Sequence, residues 1–153
     1  MKKIEDTKGE VLFTANDLVA SYSRQDALDD GVLVDVTDQA AACHIRYPVA
    51  LTETVWHRYV ENDAPGESVA ERIGAVLQAF TAAARRGAGN GQEMLFTLHV
   101  SMRDRGDWLE SEGVPTPARG FTRETHRLVQ LKGHCGPGDK GEPVITIMLP
   151  NED

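Results

Sequence analysis

Between Arg86 and Met94 the spacing of the apolar residues changes period, and that change restricts the chain to folds that join a helical layer to a sheet. On the near side, Ser68-Val69-Ala70-Glu71 is a capping box, in which the serine hydroxyl and the glutamate carboxylate each take a free backbone N–H at a helix start. The helix it opens sets Val69, Ile73, Val76, Leu77, Phe80 and Ala84 on one face. It stops at Arg85-Arg86-Gly87, where cations meet the negative end of the helix dipole. On the far side Met94, Phe96, Leu98 and Val100 alternate with Glu93, Thr97, His99 and Ser101, and Leu95 alone puts an apolar side chain on the polar side.

Two further strands follow. Glu124 to Cys135 carries Val129 and Leu131 on one side and His126, Leu128, Gln130, Lys132 and His134 on the other. Val144-Ile145-Thr146-Ile147-Met148-Leu149 is a β-branched run entered through the reversing loop Gly136-Pro137-Gly138-Asp139-Lys140-Gly141-Glu142-Pro143. Three strands in succession favour an antiparallel sheet. The expected fold class is therefore α+β, with helices of the first half packed on one face of a C-terminal antiparallel sheet of three or more strands.

In the first half, Glu10 to Ala15 reads equally as a short edge strand or as the lead into a helix through Tyr22. Ser23 is an N-cap before a helix over Arg24 to Asp30 that stops at Gly31, and Val32 to Val36 is a buried strand. Thr37 is placed to cap a short helix through Cys43, and Tyr47-Pro48 breaks the pattern because the residue before proline avoids the α region. Thr52 caps a helix from Glu53 to Glu61, with Val55, Trp56, Tyr59 and Val60 at helical spacing, and 62–66 is a linker. Arg103 to Thr122 is a long charged excursion holding Trp108, Pro115 and Pro117.

No repeat or low-complexity tract divides the 153 residues, so one domain with one core is expected over 1–153. The hydrophobic share of 41% and charged share of 26% are those of a soluble globular protein, and no apolar run approaches the ~20 residues of a membrane span. Basic residues in Met1 to Lys8 have no apolar stretch behind them, so no secretory signal is expected and a cytoplasmic location follows by default. Cys43 and Cys135 are too few for a disulfide framework. Of the net charge of -8, the first 80 residues carry 14 acidic against 7 basic groups and the remainder 10 against 9. An acidic half repels a phosphate backbone, which argues against duplex DNA binding and for a basic or nucleic-acid-binding protein partner.

Asp30-Gly31-Val32-Leu33-Val34-Asp35-Val36-Thr37, Tyr47-Pro48-Val49-Ala50-Leu51-Thr52 and the block from Gly136 to Pro150 give the chain its likeness to a known group. It resembles a family of uncharacterised bacterial proteins associated with plasmids, prophages and other mobile elements. The resemblance runs from about Ser21 to Asp153, and the excursion is longer here. It implies a genetic setting among accessory genes of mobile DNA and no particular activity.

The residues that could carry chemistry form no recognised motif. The five histidines make neither H-x-H nor H-E-x-x-H and the cysteines are not C-x-x-C, so no metal site is expected, and nothing calls for a cofactor. No G-x-S-x-G elbow is present, and Gly87 to Gly91 follow a helix where a phosphate loop would precede one. His99, His126 and His134 share strand parity, with Arg127 nearby. Histidines with a cation supply the base, acid and charge stabilisation that ribonuclease-type cleavage needs. Trp108 beside Arg105 is the kind of aromatic and arginine mixture that protein interfaces favour, and Asp29 with Asp30 lie in the acidic half. The leading expectation is a non-enzymatic protein-binding accessory factor of a mobile element, an acidic inhibitor of a host nucleic-acid-handling or defence complex, contacting its partner through Trp108, Arg105, Asp29 and Asp30. The alternatives are a metal-independent ribonuclease or toxin-like enzyme using His99, His126, His134 and Arg127, and a structural or self-assembling protein.

Overall fold

A computed structural model describes residues 22–61, 67–87, 89, 91–103, 108–112, 115–117 and 124–152. The segment Glu10 to Ala15, the 62–66 linker and Arg105 lie outside the described residues. Local chemistry sets the first elements. Helix α1 (Arg24–Asp29) starts at Ser23, whose hydroxyl accepts from the Asp26 N–H while the Asp26 carboxylate accepts from the Ser23 N–H. Gly31, at φ 79, turns the chain into strand β1 (Leu33–Asp35). Helix α2 (Thr37–Ala42) departs from the sequence reading: Val36, not Thr37, is its N-cap and provides no side-chain bond. The Thr37 hydroxyl is taken up instead by Asp35 and by the Val49 N–H.

Strand β2 (Val49–Thr52) begins directly after Pro48 and is buried through its first three residues. Thr52 then caps α3 (Glu53–Val55), which widens into a π-helical turn over Trp56–Val60, closed by the Glu61 N–H on the Trp56 carbonyl at 2.7 Å. Helix α4 (Val69–Arg85) carries the expected capping box of Ser68 and Glu71. Its buried side is Arg72, Ile73, Val76, Leu77 and Ala83, with Phe80 half-buried. Val69 and Ala84, expected on that side, are exposed.

Strands β3 (Glu93–Arg103), β4 (Pro115–Pro117), β5 (Glu124–Pro137) and β6 (Pro143–Met148) complete one sheet, in which β1-β2-β6-β5-β3 is the order and β4 lies beside β5. The expected α+β arrangement is the one observed, and β3, β5 and β6 form its antiparallel part. Two strands from the first half extend that part, and β2 pairs with β6 in parallel, so the sheet is mixed. A buried four-residue run after a proline has no periodicity that would have revealed this pairing.

Register divides the sheet into two faces. Val49, Leu51, Ile145, Ile147, Leu131, Val129, Phe96 and Leu98 share the face on which α4 packs, and all are buried. The helices do not all take that face. Arg24 of α1 donates to the Thr146 hydroxyl (2.8 Å) and the Ile145 carbonyl (3.0 Å), so α1 lies on the side of Ala50, Thr146 and Met148. The reversing loop holds it there, since the Asp139 carboxylate accepts the N–H groups of Arg24 (2.8 Å) and Gln25 (3.0 Å). Those two amides keep the Asp139 carboxyl below its ordinary pKa.

Gly133 admits α4 to the sheet, because a Cβ there would stand 2.5 Å from Cε1 of Phe80, whose ring meets Phe96 edge-on at 5.7 Å. Gly133→Ala is therefore expected to lower stability by about 1–3 kcal/mol, and Phe80→Leu in the same chain to recover part of the loss. Thermal unfolding of the four-member cycle checks this. Simple additivity of the two changes would mean that the positions do not meet.

Candidate functional site

Strand β5 has β3 along one edge and two successive partners along the other: β4 at Thr125–Arg127 and β6 at Lys132–Pro137. Positions 128–131 fall between them, and among the described residues no strand pairs with that stretch of edge. The Cys135 N–H donates to the Gln92 carbonyl on the β3 side at 2.8 Å, so alternation turns the backbone groups of Leu128 and Gln130 toward the gap. The sheet has a notch there. Over it lies the segment Trp108 to Glu112, ending in a 3-10 turn at Glu110–Glu112.

Glu112 anchors that segment. Its side chain is fully buried, and Arg58 grips it with two donors, Nε to Oε2 at 3.1 Å and Nη2 to Oε1 at 2.8 Å. The Tyr59 hydroxyl donates to Oε2 at 2.7 Å and the Leu109 N–H to Oε1 at 2.7 Å. Burial alone would push the Glu112 carboxyl up, but the bonds from Arg58, Leu109 and Tyr59 outweigh it and hold the group below its ordinary pKa. Burial and the neighbouring carboxylate both push the Tyr59 phenol up, so it stays protonated and donates. The π-helical turn delivers both donors, keeping Tyr59 and Val60 in the core while Arg58 reaches outward to the carboxylate.

Trp108 opens the segment. The Arg127 guanidinium carbon lies 3.5 Å from the centroid of its ring, with Arg127 only 6% exposed. The result is a pocket of about 580 Å³ lined by Trp108, Leu109, Glu110, Ser111, Gln130, Pro150 and Asn151. Because β2 and β6 are parallel, their carboxyl ends lie together at this end of the sheet, tied by Glu152, whose carboxylate accepts from the Thr52 hydroxyl (2.9 Å) and the Leu149 N–H (2.8 Å). Strand β1 starts there too, with Leu33 opposite Thr52, so Asp29 and Asp30 at the close of α1 belong to the same end. That end carries the exposed carboxylates of Asp29, Asp30, Glu53 and Glu110, with Val32 and Leu109 exposed among them.

The histidine set falls out differently. Backbone register puts His99 opposite Leu128, His126 opposite Ser101 and His134 opposite Glu93, one parity for all three. Positions 99 and 126 are diagonal neighbours, whereas His134 stands about 20 Å farther along the strands. Arg127 is opposite Val100, on the helix-bearing face. Strand parity thus groups the three positions, but the register leaves them spread along the sheet with the arginine behind it. Among the described residues no cluster of histidine, cysteine and carboxylate groups suits a metal ion, and no helix is long and apolar enough to cross a membrane.

Sequence reasoning singled out Trp108 and missed Glu112, Arg58 and Tyr59. Nothing local marks Glu112, since Glu110-Ser111-Glu112 reads as a solvated surface and its partners lie more than 50 residues earlier in the chain. No curated protein and no solved structure matches the chain. A family model does, over residues 10–153, and by it the chain belongs to the family of unknown function DUF6573.

Proposed function

We propose that this chain is a non-enzymatic protein-binding accessory factor, and that its contact surface is the acid-rimmed end of the sheet around Trp108. The observation that carries the reading is the coincidence of a concave pocket with exposed acids: Trp108, Leu109 and Pro150 wall the pocket, and Asp29, Asp30, Glu53 and Glu110 lie at the same end. Aromatic and proline walls supply apolar contact area, while the rim charge selects a basic partner and steers its approach. A basic protein that handles nucleic acid has that chemistry. The likeness of the Gly136 to Pro150 block to mobile-element proteins supports a setting among accessory genes, and with it the role of an inhibitor of a host nucleic-acid-handling or defence complex in the cytoplasm.

Affinity purification from the native host, followed by a salt series on the protein recovered, tests the proposal. Association is expected to slow as salt rises, because exposed charges are screened beyond about 8 Å at physiological ionic strength. Asp29→Lys with Asp30→Lys is expected to slow association further while leaving dissociation nearly unchanged. Binding that ignores both salt and the double reversal would remove the acidic rim from the contact.

A further inference from the structure

Among the described residues β1 and β3 end the main strand order of the sheet, and their edges are treated very differently by the sequence. β1 is three residues long and ends in the exposed Asp35, a short charged edge of the kind that discourages pairing. β3 runs for eleven residues, and its nine central positions, Met94 to Met102, contain no Asp, Glu, Lys, Arg or Pro. Among the described residues no strand pairs with its outer edge. A run of this length without charge or proline is a template for another strand.

Its backbone polarity is fixed by β5. Gln92 accepts from the Cys135 N–H, so the even-numbered positions of β3 bond to β5, and Glu93, Leu95, Thr97, His99, Ser101 and Arg103 turn their N–H and C=O groups outward. Arg72 Nη1 donates to the Ser101 carbonyl oxygen at 3.0 Å, and a carbonyl oxygen has two lone pairs with which to accept.

We propose that β3 pairs antiparallel with β3 of a second copy of this chain, about a two-fold axis at Leu98, to make one continuous sheet across the dimer. This register meets three requirements at once. It sets outward-facing positions opposite one another, Thr97 with His99 and Leu95 with Ser101, as hydrogen-bonded pairs. It sets Phe96 opposite Val100 and Leu98 opposite its own copy on the helix-bearing side, extending the buried apolar row across the axis. And it sets position 93, a glutamate, opposite position 103, an arginine, at each end of the pairing, while Glu93 also lies 3.8 Å from Lys132 Nζ of its own chain. Moving the axis to Thr97 or His99 takes both charge pairs out of opposition.

Sedimentation velocity and light scattering on the full chain, over a dilution series, read the result. The expected mass is twice the 16.7 kDa of one chain, falling toward one chain on dilution. Thr97→Pro deletes an outward N–H in each copy without touching the β5 ladder, and is expected to raise the dimer dissociation constant about 10- to 100-fold with the circular dichroism of the fold kept. Arg103→Glu or Glu93→Arg alone is expected to weaken the dimer, and the two together to restore it, which keeps the test decisive if the proline variant misfolds. In the dimer the amides of Leu95, Thr97 and His99 are expected to be protected from hydrogen exchange. A single-chain mass at every concentration would overturn the proposal, as would a dimer indifferent to all these changes. Protection of the same amides in a monomer would do so too, since the chain would then be covering its own edge.

Discussion

Glu112→Ala is expected to lower the unfolding free energy by about 3–5 kcal/mol, a fall in thermal midpoint on the order of 10 °C for a domain of this size. The size follows from what is left behind. The carboxylate is fully buried and holds Arg58 through two bonds, so its removal takes both bonds and the counter-charge from the guanidinium and breaks those of the buried Tyr59 phenol and the Leu109 N–H. Glu112→Gln keeps the shape and one acceptor, and is expected to cost less. The comparison has a pH signature. The folded carboxyl lies below its ordinary value of 4.5, so the unfolded chain binds more protons and the contribution of Glu112 is complete above that value. It is lost as pH falls through the lower folded value, and the gap between the wild-type and Glu112→Gln midpoints should close over that acid range. A midpoint for Glu112→Ala within about 2 °C of wild type would mean that the segment is not tied to the core through this carboxylate.

The elements legible in the sequence are those specified by neighbours in the chain. Ser68 with Glu71 and Ser23 with Asp26 are reciprocal caps three residues apart, and both helices begin where those pairs require. The alternation of Met94, Phe96, Leu98 and Val100 fixes a face by parity alone, and all four are buried. What escaped reading depends on distant partners. The pairing of β2 with β6 joins Val49 to Ile145, and Asp139 accepts amides of α1 from 115 residues away. Glu112 belongs to the same class: its residue type argues for the surface, and only the convergence of Arg58, Tyr59 and the Leu109 amide makes burial possible. Arg72, 3% exposed, was hidden by the same effect, since a buried arginine is intelligible only once the Ser101 carbonyl is beside it. The site was thus half visible: its aromatic stood out by type, and its anchor did not.

Trp108→Ala is expected to weaken the partner complex by about 2 kcal/mol or more, roughly 30-fold, almost entirely through faster dissociation. Arg127 lies 3.5 Å from the ring centroid and the segment behind it is pinned at Glu112, so the indole is already fixed before a partner arrives. A fixed aromatic loses little freedom on binding, which is the condition under which one side chain dominates an interface. The ring is half-buried and packs against the core, so some stability is lost as well; the drop in midpoint is expected to be smaller than that of Glu112→Ala, whose binding defect should be at least as large. Trp108→Phe keeps a ring over Arg127 and should fall between wild type and alanine on both measures. The rim makes the contrasting prediction, since reversing Asp29 and Asp30 acts on approach and not on release. Dissociation rates that do not change with Trp108→Ala, measured against the partner recovered from the host, would take the pocket out of the interface and leave the acidic rim as the whole of the contact.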